Sequence, residues 1–380
     1  MINKKINTKV LQLSKYYSPY SGGIESVVLD ISEGLVNSGF DTTVLATDKS
    51  NLDRTSRING VCVIRSKEYI NVASTSISPR YVADTIIKCN QKIIHVHLPN
   101  PLSNLALFFA WILGKDISNI VIHWHSDIVK QKSLLFFYRP LQNWLLRKSK
   151  VIITTSHRYL NYSDQLRDFK QKASVIPIGI DSLESKVNKS IVESIKNRHS
   201  GKKIVFSLGR HIYYKGFEFL IEAAYSVENA IFLIGGIGPD TEKYHQMIKA
   251  MGLQNKVFLI GKVPDKELPS YYSAADVFCF PSIEKSEAFG VVQLESMSVG
   301  TPVISTDIKG SGVPWVNKHM ESGIICKPKS SEKLAEAINT LVTDDLLLEK
   351  LACGAKNRFS SKFTKDHMVN KIVDIYNGMV

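Results

Sequence analysis

Cysteine is scarce in this 380-residue chain, and what there is does not pair. The five (Cys62, Cys89, Cys279, Cys326 and Cys353) are odd in number, widely spaced and form no C-x-x-C. That pattern argues against a disulfide framework or a structural zinc site and fits a reducing compartment. Long apolar runs are missing as well. The longest, Leu105 to Leu113, is nine residues, against the ~20 a helix needs to cross a bilayer. There is no low-complexity tract and no short-period repeat. No helix-turn-helix, RNA-recognition or zinc-finger pattern is present, so a nucleic-acid partner is not expected. The start, MINKKINTKVLQLS, runs from a basic tail straight into a strand pattern, and no signal peptide is expected.

What is present is ordinary globular composition with a lopsided charge. Residues 1–180 hold 23 Lys and Arg against 12 Asp and Glu, whereas residues 181–380 hold 25 against 23. The basic surface therefore belongs to the first half, where an anionic membrane or a nucleic acid would be attracted. Apolar strand runs alternate with helical periods, at 9–13, 42–46, 61–65, 93–98, 120–124, 151–155 and 174–178. Helices are expected between them, for example over 24–37, 80–89 and 157–169. This is the pattern of βαβ units around a mainly parallel sheet, an α/β fold. A lysine-rich polar stretch, 181–203, reads as a linker. A second series then follows with strands at 204–208, 231–234, 257–260, 277–280, 303–305 and 323–326. The expected architecture is two doubly wound Rossmann-like domains, 1–180 and 181–363, facing each other across a cleft. A last helix, about 364–380, would cross back to the first domain.

The chemistry concentrates at the expected strand ends, where ligands of such sheets bind. In Ser282–Pro302 a strand leads through a polar loop to a helix opening near Phe289-Gly290, with Glu287 and Glu295 eight positions apart. The backbone N–H groups of Phe289, Gly290 and Val291 would form an anion-binding helix N-terminus, and Gly290 would let a ligand approach closely. Carboxylates beside a diphosphate suit sugar hydroxyls; the plainer alternative is a first-turn acid and a solvated helix glutamate. Arg210 and Lys215 follow the first strand of the second series and suit a diphosphate leaving group, or are solvated loop cations. Gly22-Gly23 reads as a phosphate approach or a simple turn, and Gly235-Gly236-Ile-Gly238 likewise. There is no G-x-G-x-x-G fingerprint for a dinucleotide. His95 with His97, and His123 with His125, alternate onto shared strand faces. His125, followed by Ser126-Asp127, is the candidate to bond a sugar hydroxyl or shuttle a proton. The spacing is not that of a zincin helix, and no metal site is expected. Residues 130–150 carry six Lys or Arg and no acid among Leu, Phe, Tyr and Trp. They suit an anionic membrane surface, or a helix pair kinked at Pro140 with its apolar face in the core.

Taken together these residues resemble the retaining nucleotide-sugar glycosyltransferases of family 4, with the GT-B fold. The resemblance spans nearly the whole chain. It rests on E-x7-E (Glu287 to Glu295), on Gly300-Thr-Pro-Val-Ile-Ser-Thr and on Gly209-Arg210 with Lys215-Gly216. Gly22-Gly23, His97, His125 and Val175-Ile-Pro-Ile-Gly-Ile-Asp181 add to it. It implies that Arg210, Lys215 and the backbone of Phe289, Gly290 and Val291 hold the donor diphosphate. Glu287 would take the transferred sugar, Glu295 the ribose, and His125 the region of the reacting carbon. Gly22 and Gly23 would approach the donor phosphates, with His97 and Asp127 on the acceptor side.

The resemblance further implies no cofactor, since the nucleotide sugar is a substrate, and no required metal. Where relatives often read G-G-x-P-E-x-V, this chain reads Gly310-Ser-Gly-Val-Pro-Trp315-Val. That variant, with Trp124-His-Ser-Asp-Ile-Val-Lys-Gln131, is similar to mannosyl- and rhamnosyltransferases of bacterial surface-polysaccharide assembly. It favours a GDP-linked over a UDP-linked hexose, while the basic first domain fits a lipid-linked saccharide acceptor reached by a cytoplasmic enzyme peripheral on the inner membrane face. A GT-B-like nucleotide-sugar epimerase or phosphorylase, a two-carboxylate glycoside hydrolase and a basic nucleic-acid-binding protein are the competing readings.

Overall fold

The computed structural model describes residues 8–20, 22–50, 52, 54–72, 75–128 and 132–379. The chain forms two compact units, Met1–Gly179 with Lys365–Val380, and Ile180–Thr364.

In the first unit the strands are β1 (Lys9–Leu13), β2 (Asp41–Asp48), β3 (Thr55–Ile58), β4 (Val61–Lys67), β5 (Ile70–Val72), β6 (Thr75–Ile77), β7 (Ile93–Leu98), β8 (Ile120–Trp124), β9 (Val151–Thr154) and β10 (Ala173–Val175). Eight of them form one sheet in the order β10-β9-β8-β7-β1-β2-β4-β3. All its pairs are parallel except β3 with β4. β5 and β6 make a separate antiparallel hairpin. The central strands are mostly apolar because helices cover both faces of a parallel sheet; every residue of β7 and of β8 is buried, their histidines included.

The helices start where the sequence supplies caps. Helix α1 (Gly23–Asn37) buries Val27, Val28, Ile31 and Leu35, a stripe at helical spacing. Helix α2 (Pro79–Lys88) is capped by Ser78, whose hydroxyl accepts from Tyr81 N–H, and α3 (Pro101–Ile112) by Asn100, which accepts from Ser103 N–H. Both carry proline at their first position, where no N–H is needed. Helix α4 (Lys132–Lys148) runs through Pro140 as one helix, not the pair that the proline suggests. The C-terminal helix, Lys365–Asn377, lies on α1. Lys365 reaches Asp30 at 3.2 Å and Glu33 at 3.5 Å. A Cβ on Gly34 would stand 2.4 Å from Val369 Cγ2, so glycine sets how closely the two helices approach.

The second unit repeats the plan. Its strands β11 (Lys203–Leu208), β12 (Ala230–Gly235), β13 (Val257–Gly261), β14 (Val277–Phe280), β15 (Val303–Thr306) and β16 (Gly323–Cys326) form an all-parallel sheet in the order β13-β12-β11-β14-β15-β16. Phe217, Leu220, Phe232, Tyr244, Ile304 and Leu351 belong to its continuous core.

Two expectations fail locally. Residues 181–203 are no bare linker: they hold helix α6 (Lys189–Arg198), which buries Ile195. Asn188 N–H donates to Ser270 Oγ and Leu183 N–H to Ser298 Oγ, so the stretch is built into the second unit. Its apolar stripe is too short to stand out from the lysines. The helix expected over 157–169 ends at Tyr162, as α5 (His157–Tyr162). Ser163 Oγ, which accepts from Leu166 N–H and donates to Asp127, replaces the helical bonding there.

Candidate active site

In the second unit the strand order reverses between β11 and β14, so the connections leaving those strands diverge at their carboxyl ends, where ligands of such sheets bind. Those two loops are 209–216 and 281–290. The first runs into α7 (Phe217–Tyr225) through Gly216, whose φ of 68° is left-handed and whose missing Cβ would meet Pro281 O at 2.3 Å. Only glycine lets the two loops touch there. Ile283 N–H donates to Tyr214 O at 2.9 Å, a second tie between them.

This contact brings Lys215 to Glu287. The ammonium lies 2.6 Å from Glu287 Oε2, and each side chain is 13% exposed. The two groups that the sequence assigns to diphosphate and sugar are thus one ion pair. The Lys215 ammonium also stands 5.0 Å from the centre of the Phe280 ring. That ring meets Gly290 on the other side: a Cβ there would come within 2.6 Å of it, and φ is 80°. The turn, Phe280 and Gln293 by themselves already require glycine at position 290. Helix α10 (Val291–Ser298) begins one residue beyond it, slightly later than the sequence suggests. Gly312 N–H donates to Ala288 O at 2.8 Å, and Ser311 Oγ donates to Glu287 O. The Gly310–Val313 turn thereby holds the loop that carries Glu287. Trp315, in the position where relatives often have glutamate, packs instead tilted against Phe289 and edge-on to Phe363, with the Arg358 guanidinium over its ring.

Arg210 is exposed on the same β11 loop. Glu295, one turn into α10, is half-buried and accepts from the Tyr272 hydroxyl at 2.6 Å. Burial raises its pKa, the Tyr272 hydrogen bond lowers it, and the Asp265 charge raises it further; the net shift is upward. The Gly235–Gly238 turn is filled by protein. A Cβ on Gly236 would meet Gly209 O at 1.9 Å and one on Gly238 would meet His211 O at 2.2 Å. Its glycines shape the Arg210 loop from below.

In the first unit the order reverses at β1, between β7 and β2. The histidines of the neighbouring strands form a stack there. His95 and His97 rings are 4.6 Å apart, His97 and His125 5.3 Å, and His123 and His125 4.4 Å. His97 Nδ1 lies 3.0 Å from His125 Nε2 and His97 Nε2 lies 2.7 Å from Gln12 Oε1. Both His97 nitrogens are thus committed, which leaves it to orient His125 rather than to touch an acceptor. Desolvation lowers the pKa of all four rings, His123 to about 3. His95, His97 and His123 each offer a nitrogen within 4.8 Å of the others. Both His97 nitrogens already have protein partners, however, so the trio fits a metal poorly.

Asp127 is likewise committed: its Oδ1 accepts from Trp124 Nε1 at 3.1 Å and from Ser163 Oγ at 2.7 Å. Gly22 caps α1, and a Cβ there would meet the Glu25 carboxylate at 2.3 Å, whereas Gly23 faces open space. Gln12, Tyr272, Ser311 and Tyr376 are the site residues that sequence reasoning missed. Only Ser311, inside the variant Gly310–Val316 motif, carried a signal.

The family described as "Glycosyltransferase Family 4" matches residues 21–182, and that described as "Glycosyl transferases group 1" matches residues 188–358. This chain is a family 4-like glycosyltransferase with the GT-B fold. The "O-antigen chain mannosyltransferase C" of Escherichia coli is 29% identical over 374 residues, covering 98% of this chain and 99% of that relative. The "D-rhamnosyltransferase WbpZ" of Pseudomonas aeruginosa is 29% identical over 360 residues, covering 94% and 92%. Among solved structures, sucrose-phosphate synthase from Thermosynechococcus elongatus has a TM-score of 0.81 at 20% identity, covering 98% and 99%. Anabaena HepE, in complex with UDP and glucose, has 0.77 at 19%, covering 98% and 100%. In this glycosyltransferase, then, the Lys215–Glu287 pair sits at the strand reversal of the unit matched by the group 1 family.

Proposed function

We propose that this glycosyltransferase moves a hexose, with retention of configuration, from a nucleoside diphosphate sugar to a lipid-linked saccharide during surface-polysaccharide assembly. The observation that carries the reading is the Lys215–Glu287 pair beside the N-terminus of α10. Before donor arrives, each charge neutralises the other in a largely dehydrated place. An arriving diphosphate would draw Lys215 toward itself, joined by Arg210 and the N–H groups of Phe289, Gly290 and Val291. Glu287 would then turn its oxygens to the sugar hydroxyls, and Glu295 to the ribose. Placing positive charge where the leaving group gains negative charge is the main catalytic device. A phosphate oxygen of the departing diphosphate would take the proton of the incoming hydroxyl on the same face, so neither a carboxylate nucleophile nor a divalent metal is needed.

From the first unit, His125 would contact the sugar near the reacting carbon and Gly23 would leave room for the donor phosphates. The names of the two long relatives, a mannosyltransferase and a D-rhamnosyltransferase, support a mannose-type sugar, for which a GDP-linked donor is the proposed form. A membrane-side acceptor is supported by the exposed front of α4, where Leu134, Phe136 and Phe137 are 53%, 76% and 80% exposed. Exposed Val72 of β5 lines one groove with Leu134 and Phe137 and adds to that apolar surface. The back of α4, with Leu145 and Leu146, is core, so only its front half is open to such a contact. Lys130 and Gln131 lie outside the described residues. Among the described residues no helix is long and apolar enough to cross a membrane.

Purified protein incubated with a panel of GDP- and UDP-hexoses, a lipid-extract acceptor and chelator tests the reading. The expected result is nucleoside diphosphate release that needs acceptor, is greatest with a GDP-linked mannose-type donor, and yields a product with the donor's anomeric configuration. Release without acceptor would favour an epimerase-type reading, and an inverted product or strict metal dependence would end the mechanism.

A further inference from the structure

The histidine stack is joined to the C-terminal helix by a chain of hydrogen bonds whose direction follows from the chemistry of its members. Gln12 on β1 has two unlike ends. Its amide Nε2 faces the Tyr376 hydroxyl at 3.4 Å, and its carbonyl Oε1 faces His97 Nε2 at 2.7 Å. A carbonyl only accepts, so His97 Nε2 carries a proton. A neutral imidazole has one N–H, which leaves His97 Nδ1 with a lone pair. The group opposite that lone pair is His125 Nε2, at 3.0 Å, and it must therefore donate. At the other end an amide NH2 only donates, so the Tyr376 oxygen accepts from Gln12 and gives its own proton to His95 Nδ1 at 2.5 Å. The rings are neutral near pH 7 because desolvation holds their pKa values below 6.5.

We propose that Gln12 and Tyr376 are positioning residues that, through His97, hold His125 in its Nε2–H form and leave Nδ1 as a bare acceptor. Gln12, His95 and Tyr376 are fully buried and His97 is 2% exposed, whereas His125, at 6%, is the most exposed of the four histidines. The chain thus runs from a sealed interior to the ring nearest the surface. An acceptor nitrogen at that end suits a sugar hydroxyl and gives a reason why a buried glutamine should tie the first strand to the last helix. This deepens the reading of His125 as a sugar contact and rests on it for any effect on turnover, but not for the tautomer itself.

The test uses full-length protein labelled with 15N-histidine, with two-bond 1H–15N correlations assigned through His125→Gln. The expected wild-type spectrum has His125 protonated at Nε2 and bare at Nδ1. Gln12→Leu and the near-isosteric Tyr376→Phe should convert it to a mixture of tautomers. Their kcat should fall by about tenfold, the worth of one well-aligned hydrogen bond, with donor KM little changed. An Nδ1–H signal in the wild type, or an unchanged His125 tautomer in both variants, would overturn the proposal. A tautomer that shifts while kcat stays at the wild-type value would uphold the chain and instead remove His125 from the transfer reaction.

Discussion

Both units gather their polar residues near the point where strand order reverses, yet in opposite electrical states. In the first unit, four stacked imidazoles, a glutamine and a tyrosine are buried and neutral, and all but His123 are joined by hydrogen bonds. In the second, a formal charge pair and an exposed arginine sit on loops. The difference follows from what each element can hold. Strand positions inside a parallel sheet are dry, so polar groups there are held neutral. Loops at strand ends keep some water and can re-pair when an anion arrives. One unit is suited to orient, the other to bind and discharge charge.

The sharpest way to break the comparison is to remove charge from the second unit. Lys215→Ala is expected to lower kcat/KM by ~10²–10³-fold, the usual scale for losing one donor at developing negative charge. Glu287→Ala should be comparably damaging, and the double variant should lose less than the sum, because each single change strands a partner. Arg210→Ala should nearly abolish turnover while leaving the thermal midpoint in place, since the side chain is exposed. Wild-type rates in Lys215→Ala would contradict the phosphate role.

The second contrast is in pH. The four histidines have folded pKa values below the unfolded 6.5. The unfolded chain therefore binds more protons below pH 6.5. Their linkage leaves stability untouched above that pH and removes it as pH falls, by up to ~1.4 kcal/mol per pH unit for each ring. Urea unfolding followed by tryptophan fluorescence at pH 7, 6 and 5 would show it, because Trp111, Trp124 and Trp144 all lie in the first unit. His123→Phe, which removes a ring with both nitrogens unpaired, should flatten the slope by about one proton. A flat profile in the wild type would show that the stack is not kept neutral.

Smaller effects test the edges. Phe136→Ser with Phe137→Ser is expected to weaken binding to anionic vesicles roughly tenfold, from the loss of buried apolar area, with soluble-donor binding unchanged. Equal vesicle binding would remove α4 from the membrane reading. Glu295→Ala should weaken donor binding by about fivefold, as for one hydrogen-bonding contact, measured by calorimetry. An unaffected Kd would mean that Tyr272 is the only partner the carboxylate serves.

The strands and most helix starts were legible because apolar runs, Ser or Asn caps and prolines act locally. Strands β1, β7, β8, β14 and β16 fall where the apolar runs place them. The β5–β6 hairpin went unseen because Ile70–Ile77 carries no turn signal strong enough to separate two three-residue strands. At the site, Glu287, Glu295, Arg210 and Lys215 could be singled out by type and spacing, but their pairing could not. That Lys215 meets Glu287 depends on a strand order in which β14 lies beside β11, a long-range fact. For the same reason Asp127 looked available beside a strand end, although Trp124 and Ser163 take its carboxylate. Gln12 and Tyr376 are 364 positions apart, beyond any local pattern.

The position of Tyr376 also bears on how the molecule is made. A ribosome delivers the strands that carry Gln12 and His95 early and the C-terminal helix that seals them last, after all of Ile180–Thr364 has emerged. During synthesis the N-terminal sheet therefore waits with a polar seam unclosed and with the Gly34 face of α1 uncovered. Nascent chains stalled before residue 365 would expose that face to chaperones, and release of Lys365–Val380 marks the moment at which the first-made half becomes complete.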